Sequence, residues 1–186
     1  MLTEELRRTE GAGECHSRLF EFCTDVEYRW FVLHTRSRQE KVVANELLAL
    51  GVDFFLPLMM HVRYYGSRKL KVELPLFASY VFVRGAPSQI YSIDRAKRLV
   101  GIIQVPIQRQ LNWELKNLHL ALLNRVALIP YPMLKKGARV EVRSGPLRGL
   151  QGLIEGQGPA SRLVLQVDML GRAVSLEIDA SLLDLI

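Results

Sequence analysis

The sequence predicts an α+β protein with two folded domains, and two observations lead to this class. Between residue 28 and about residue 110, short apolar runs typical of strands alternate with two segments of helical periodicity. From Gly137 onward the chain contains only short strand-like runs, separated by glycine-containing turns. The first pattern predicts an α/β sandwich and the second predicts a small five-stranded β-barrel. A chain of 186 residues is long enough for both.

The first domain is predicted from strands and helices in the order β-α-β-hairpin-β-α-β. The strands are predicted at 28–35, 52–58, 78–83 and 101–105, and the hairpin joins 61–66 to 68–74 through a Gly66-Ser67 turn. The first helix begins at a Ser37/Glu40 capping box and stops at Gly51. The second helix starts at Pro87 and runs to about Arg98. The run at 78–83 is apolar on both sides and is therefore predicted as a central strand. This order resembles a ferredoxin-like sandwich.

The remaining segments complete the domain plan. Residues 1–27 lack periodicity and carry net negative charge, which predicts a flexible acidic tail. Residues 111–136 are predicted as a linker with an amphipathic helix, which is capped by Asn112 and ended by the prolines of 129–132. Residues 137–186 form the predicted barrel, with strand-like runs that begin near 138, 150, 161 and 172.

Composition limits the classes of function. The net charge is +6, but residues 28–110 alone hold thirteen basic and five acidic side chains. A basic domain of this kind suits nucleic acid or an acidic protein surface, although a solvated basic face explains the charge equally well. No apolar run is long enough to cross a bilayer, so a soluble cytoplasmic protein is expected.

No chemistry of catalysis or metal binding is predicted. The cysteines Cys15 and Cys23, with His16, match no zinc-ligand spacing, and the other histidines lie on separate elements. No nucleophile, carboxylate pair or phosphate-binding glycine loop is present in a suitable context. We therefore expect no enzyme, no metal site and no cofactor.

The stretch 142–155, VRSGPLRGLQGLIE, concentrates glycines at a predicted strand-to-strand bend. Gly145-Pro146 favours a tight turn, and Gly149 and Gly152 allow a bulge or a close approach of two backbones. Leu147 and Leu150 lie on this bend, so at least one is expected to face solvent. The alternative is that both leucines plug the end of the barrel.

The spacing of glycines and aliphatic residues from Gly137 to Ile154 resembles the KOW motif. The later segment VDMLGRAVSLEID (167–179) resembles the C-terminal domain of the NusG family. WFVLHTRSRQEKVVANEL (30–47) and PLFASYVFV (75–83) resemble the N-terminal (NGN) domain of that family. The resemblance covers 28–186. Ala78-Ser79 stands where a Pro-Gly pair is common in housekeeping members, which is more similar to specialised paralogues of the RfaH or polysaccharide-operon type.

The resemblance implies a transcription elongation or antitermination factor. It implies binding to the clamp helices of the largest RNA polymerase subunit and, in specialised members, to the non-template DNA strand. It further implies that the KOW domain recruits a small-subunit ribosomal protein or the termination factor Rho. A monomer without membrane contact is expected. An alternative is a KOW-containing module that binds RNA or the ribosome without touching polymerase.

The resemblance also implies site residues. The expected polymerase contacts, around the central strand, are Leu76, Phe77, Tyr80 and Phe82; alternation along the strand places Tyr80 and Phe82 on the face away from the helices. The expected DNA contacts are Arg36, Arg38, Lys41, Lys97 and Arg98, each of which could instead be an ordinary exposed charge. The expected contacts of the KOW partner are Leu147 and Leu150. The β-branched residues, glycines and prolines of 137–186 predict strands rather than helices in the resting protein.

Overall fold

The computed structural model describes residues 28–65, 68–93, 97–134, 137–155 and 161–186. Two compact units are present. The first contains the described residues up to Leu56 together with Ala78–Gln108, and the second contains Pro57–Phe77 together with Arg109–Ile186. The predicted mixture of helices and sheets is confirmed. The predicted tail at 1–27 and the Gly66-Ser67 turn lie outside the described residues, and the predicted domain boundaries stay predictions.

The first unit is a four-stranded antiparallel sheet with two helices. Its strands are β1 (Arg29–Thr35), β2 (Asp53–Phe55), β5 (Tyr80–Gly85) and β6 (Leu99–Gln104), in the spatial order β2-β5-β1-β6. Helix α1 (Glu40–Ala49) and helix α2 (Pro87–Tyr91) contribute to a core on one face. The core residues are Phe31, Leu33, Val43, Leu47, Val52, Val81, Val83, Ile90, Ile93 and Leu99. The predicted central position of β5 is confirmed, because it pairs with both β1 and β2.

Of the two predicted boundaries of α1, the structure supports only the end. The residue before the helix is Gln39, whose side chain makes no capping hydrogen bond, so the predicted Ser37/Glu40 capping box is wrong. The carboxylate of Glu40 is used elsewhere, as described below. The predicted stop is confirmed: the helix ends at Ala49, and Gly51 has a φ of +65°, the left-handed conformation that glycine adopts without strain.

Helix α2 starts where the sequence predicts but is shorter than predicted. Pro87 occupies the first helical position, where its missing N–H costs nothing. The helix ends at Tyr91 rather than near Arg98. Lys97 has a φ of +52° and β6 begins at Leu99, so the segment before this strand is not helical at these residues.

The second unit contains a hairpin, a helix and a six-stranded antiparallel sheet. The hairpin joins β3 (Leu58–Tyr65) to β4 (Arg68–Pro75), as predicted, and the helix is α3 (Gln108–Leu123), whose first residue lies in the first unit. The sheet has the order β12-β8-β9-β10-β11-β7. Its strands are β7 (Ile129–Tyr131), β8 (Ala138–Val142), β9 (Gln151–Glu155), β10 (Ser161–Val167), β11 (Arg172–Ile178) and β12 (Leu183–Leu185).

This sheet corrects three predictions. No closed five-stranded barrel is found among the described residues, because β12 and β7 form the two ends of a six-stranded order. The prolines of 129–132 do not end the helix, because α3 already stops at Leu123; instead β7 pairs with β11 at the edge of the sheet, where a proline is tolerated. Asn112 is not a helix cap, since α3 begins four residues earlier at Gln108. The prediction of strands rather than helices in 139–155 and 162–178 is confirmed: these ranges hold β8, β9, β10 and β11, with a bend at 143–150 and a single 3₁₀ turn at Asp168–Leu170.

The glycine-rich stretch between β8 and β9 behaves as predicted. Gly145 and Gly149 both have a φ of +84°, and the N–H of Gly149 donates to the carbonyl of Val142 at 2.8 Å, which closes the bend. Gly152 meets the next strand closely: a Cβ there would lie 2.7 Å from the carbonyl oxygen of Val164. No side chain fits at this distance without moving backbone.

Within the described part of the chain, no helix is both long and apolar enough to span a membrane. The same residues contain no group of three or more His, Cys, Asp and Glu side chains that could hold a metal ion. Cys15, His16 and Cys23 lie outside them.

Candidate functional site

One end of the first unit brings together the two groups of cations that the sequence predicts as DNA contacts. Here β1 ends while β5, β6 and α1 begin. The N–H of Arg36 donates to the carbonyl of Arg98 at 2.9 Å, and the N–H of Thr35 donates to the carbonyl of Ser79 at 2.8 Å. We call this surface the cationic end and define it by these residues: His34, Arg36, Arg38, Lys41, Tyr80, Lys97 and Arg98.

Most cations of this end are exposed, and two are held in an unusual backbone conformation. Arg36, Arg38, Lys41 and Lys97 are exposed. Arg38 and Lys97 have φ values of +63° and +52°, a left-handed conformation that costs a residue with a side chain about 1–2 kcal/mol. Strain of this kind concentrates at functional sites. The arrangement can contact a phosphate backbone.

Arg98 differs from the other cations because its guanidinium is already engaged. Its Nε lies 2.9 Å from a carboxylate oxygen of Glu46, and its Nη1 donates to Oε1 of Gln39 at 3.1 Å. Arg98 therefore ties β6 to α1 and positions the loop that carries Arg36. Its predicted role as a direct DNA contact stays a prediction.

Aromatic rings lie beside these cations. His34 and Tyr80 are opposite each other on β1 and β5, and their rings stack with centroids 5.1 Å apart and planes inclined by 22°. Both side chains are half-buried. The pair thus offers a partly apolar surface at the edge of a positively charged one.

A buried carboxylate fixes the start of β5. Glu40 is buried, and its Oε1 accepts a hydrogen bond from the backbone N–H of Ser79 at 2.6 Å. Ser79 has a φ of +68°. This explains the significance of Ala78-Ser79: the second residue adopts a conformation that glycine takes freely and serine takes only with strain.

Ser79→Gly is therefore expected to stabilise the protein. Removing the left-handed strain should raise the free energy of unfolding by about 1–2 kcal/mol. Glycine also makes the unfolded chain more flexible, which should offset about half of this gain. Urea unfolding should show a midpoint above that of the natural chain at unchanged slope. The matched Ser92→Gly change, in a right-handed residue that follows α2, should lower the midpoint. A lower midpoint for Ser79→Gly would show that the serine conformation carries no strain.

The predicted polymerase contacts are arranged differently from the prediction. Val81 and Val83 belong to the helix-covered core, so Tyr80 and Phe82 do lie on the other face. Phe82, however, is fully buried, with its ring 6.4 Å from that of Phe55. The interpretation of Phe82 as an exposed aromatic is wrong; only Tyr80 of the pair is accessible.

The other two predicted contacts belong to the second unit. Phe77 is buried, and Leu76 is half-buried, with its N–H donating to the carbonyl of Pro57 at 2.8 Å. This backbone hydrogen bond closes the base of the β3–β4 hairpin.

In the bend between β8 and β9, the two predicted leucines have different environments. Leu147 is half-exposed and Leu150 is fully buried. The expectation that at least one faces solvent is met by Leu147. Leu150 cannot contact a partner directly in this conformation, because its side chain is fully buried in the core.

Sequence reasoning missed a polar surface that joins α3 to the sheet of the second unit. We call it the α3 seam, and it comprises Gln110, Trp113, Glu114 and Asn117 on the helix. The indole Nε1 of Trp113 donates to Oε1 of Gln151 at 2.8 Å, and Oδ1 of Asn117 accepts from the N–H of Gln151 at 2.8 Å. The available signal was the spacing of these polar positions, three and four residues apart on one helix face.

Glu114 is the titratable group at the centre of the α3 seam. Its Oε1 accepts from the side chain of Gln110 at 3.0 Å and from the N–H of Asp168 at 3.3 Å. Burial raises the pKa of Glu114 from 4.5 to about 7, although the two hydrogen bonds favour the ionised form. The nearby Asp168 carboxylate raises the pKa further and Arg139 lowers it.

Comparison with known proteins gives one family. Residues 28–113 match the NusG family model, described as transcription termination factor nusG. This stretch covers the described residues of the first unit and the β3–β4 hairpin, which lies between its two segments in the sequence. No curated protein matches the chain.

Three solved structures are similar. A structure described as domain interaction in Thermotoga maritima NusG has a TM-score of 0.44 and 21% identity, over 86% of this chain and 97% of that one. Two conformations, B and A, of the MjSpt4:Spt5 complex have TM-scores of 0.28 and 0.26, each with 16% identity over 84% of this chain and 96% or 97% of that one.

Proposed function

We propose that this chain, whose residues 28–113 match the NusG family model, is a non-catalytic transcription elongation or antitermination factor. Its N-terminal domain binds the clamp helices of the largest RNA polymerase subunit. It suppresses pausing or termination because it binds the processive, closed clamp better than the open one, and so shifts the equilibrium between them. The observation that carries the proposal is the family match together with the cationic end in the same domain.

The polymerase contact is centred on Tyr80. Its half-buried ring, stacked on His34, has the amphipathic character of residues that dominate protein interfaces. Phe82 lies two residues further along β5 on the same face of the sheet. It is fully buried, and its ring packs near that of Phe55. Leu76, at the base of the β3–β4 hairpin, is a separate proposed contact that belongs to the second unit, where Phe77 is buried.

The second ligand of this domain is the non-template DNA strand. Exposed positive charge comes from Lys41 in the first turn of α1 and from two loops, which carry Arg36, Arg38 and Lys97 and are joined by a backbone hydrogen bond. Such contacts add affinity that depends on salt, because each phosphate contact releases condensed counterions.

Neutralising Arg36, Arg38 and Lys41 together to glutamine should flatten the slope of log affinity against log salt for single-stranded DNA by up to about 2 units, because each lost contact on a single strand removes about 0.7. Fluorescence anisotropy between 50 and 200 mM salt, on the order of the range where phosphate contacts dominate, measures this slope. The matched control neutralises three exposed cations of the second unit: Lys116, Arg148 and Arg172. A slope equal to that of the natural chain would show that the first three are only solvated charges.

The C-terminal segment recruits the second partner of the factor, a small-subunit ribosomal protein or Rho. The half-exposed Leu147, presented on the rigid bend between β8 and β9, is the apolar contact that we propose for it. The serine at position 79 and the basic first domain favour a specialised, operon-type factor over a housekeeping one.

A single-round transcription assay with purified polymerase tests this function. Adding the chain should raise the mean elongation rate at a template pause and reduce the fraction of halted complexes. If the chain changes neither quantity but binds ribosomes or RNA, the alternative of an RNA- or ribosome-binding module replaces the proposal.

A further inference from the structure

The β3–β4 hairpin has features that the proposed function leaves unused. Among the described residues it is a two-stranded sheet, with no third strand beside it. An isolated hairpin of two strands is marginally stable in water. It nevertheless exposes four large apolar side chains, which are Met60, Val62, Tyr64 and Leu70.

One face of the hairpin combines three of these side chains with positive charge. Met60, Val62 and Tyr64 point to the same side of β3, since they are two residues apart. The residues opposite them on β4 are Glu73, Lys71 and Lys69. Tyr64 is 71% exposed, and both lysines are exposed. We call these six residues the ribbon face.

The ribbon face matches the surface of an unpaired nucleic-acid strand. Exposed aromatic rings offer a π-face on which a base can stack, and cations in the adjacent row neutralise the phosphates that follow. Directly opposite residues on antiparallel strands have their Cβ atoms about 5 Å apart, so the Tyr64 ring and the Lys69 amine can serve neighbouring parts of one nucleotide. A paired duplex hides its base faces and would leave the apolar row without a partner.

We propose that the ribbon face is a binding site for single-stranded nucleic acid, separate from the cationic end. Tyr64 provides the base-stacking ring, Val62 and Met60 extend the apolar row, and Lys69 and Lys71 contact phosphates. The site does not depend on polymerase binding, so it is testable with the chain alone.

The test measures fluorescence anisotropy of the full chain with labelled 15-mers of deoxythymidine and of uridine, and with a 15-base-pair duplex, lengths on the order of a single-strand site. Tyr64→Ala should weaken binding of the single strands about 5- to 150-fold, the range expected for loss of one stacked base, and leave duplex binding unchanged. Lys69→Gln with Lys71→Gln should flatten the salt slope by about 1.4, because each lost phosphate contact on a single strand removes about 0.7. The deoxythymidine and uridine arms decide between DNA and RNA.

The matched control is Lys116→Gln with Arg172→Gln, which removes the same charge from exposed positions elsewhere. Single-strand affinity unchanged by Tyr64→Ala would overturn the proposal. Equal losses of affinity for the duplex and for the single strands on Tyr64→Ala would also overturn the proposal, since base stacking would then not be the interaction that Tyr64 makes. A slope unchanged by the lysine pair would mean that these lysines only keep an exposed edge strand soluble. Failure to bind polymerase leaves this result intact.

Discussion

Replacing Phe82 by alanine is expected to lower the free energy of unfolding by about 3–5 kcal/mol. Phe82 is fully buried on β5, where it pairs with Val32 and Phe55 on the two neighbouring strands. Truncation removes the transfer energy of the ring and leaves a cavity that rigid neighbouring strands cannot fill. Urea denaturation followed by circular dichroism measures the loss, which is a large part of a typical domain's stability.

Two controls keep this prediction informative. Phe82→Leu preserves most of the volume and should cost less than about half as much. Tyr80→Ala, on the same face but half-exposed, should also cost less. A loss below about 1 kcal/mol for Phe82→Ala, the level of an ordinary surface change, would contradict the buried position of this ring.

Stability should fall as pH rises from about 4.5 to about 7, because the pKa of Glu114 is raised from 4.5 to about 7 in the folded protein. Below 4.5, its ordinary value, the carboxyl is protonated in both states and contributes no penalty. Between these values the folded state holds a proton that the unfolded state has released. Above 7, ionising a buried group costs the folded state about 1–2 kcal/mol after solvent screening.

Glu114→Gln should remove this contribution. The amide oxygen can still accept from the N–H of Asp168 and from Gln110, so the α3 seam keeps its geometry. The variant should be more stable than the natural chain at pH 8 and equally stable at pH 4.5, values on either side of the shifted titration. Glu177→Gln, an exposed change on β11, is the matched control. If the natural chain and Glu114→Gln showed the same change in stability between the two pH values, Glu114 would not be a buried, neutral group.

Features governed by neighbouring residues could be predicted from the sequence. Gly51 ends α1 because its left-handed conformation is a local property of glycine. The hairpin follows from two alternating runs around one turn, and β5 follows from an apolar run too continuous for an edge strand. The close approach at Gly152 follows from the position of glycine on β9 beside its paired neighbour β10.

Features that depend on distant partners could not be predicted in this way. Glu40 leaves its local capping role because the N–H of Ser79, far along the chain, requires an acceptor. Helix α3 starts at Gln108, whose side chain accepts from the N–H of Trp30 and donates to its carbonyl. Strand β7 contains a proline and is acceptable only because it lies at a sheet edge.

The same division applies to the candidate site. The basic residues near the start of α1 could be identified from the sequence. Their proximity to Lys97 and Arg98 could not, because it results from the pairing of β1 with β6. The burial of Phe82 and Leu150 could not be read from alternation alone, since alternation gives the face of a sheet and not what covers it. The α3 seam was missed because its polar residues looked like an ordinary solvated helix face.

Polymerase binding is measured by equilibrium titration of core RNA polymerase with the purified chain, without nucleic acid. We expect saturable binding by the natural chain and binding weakened at least about 30-fold by Tyr80→Ala, the loss expected for an interface residue worth about 2 kcal/mol. Tyr64→Ala, the same change at an exposed tyrosine of the ribbon face, should bind like the natural chain. No binding by the natural chain, or equal binding by Tyr80→Ala, would show that the first domain does not bind polymerase through Tyr80.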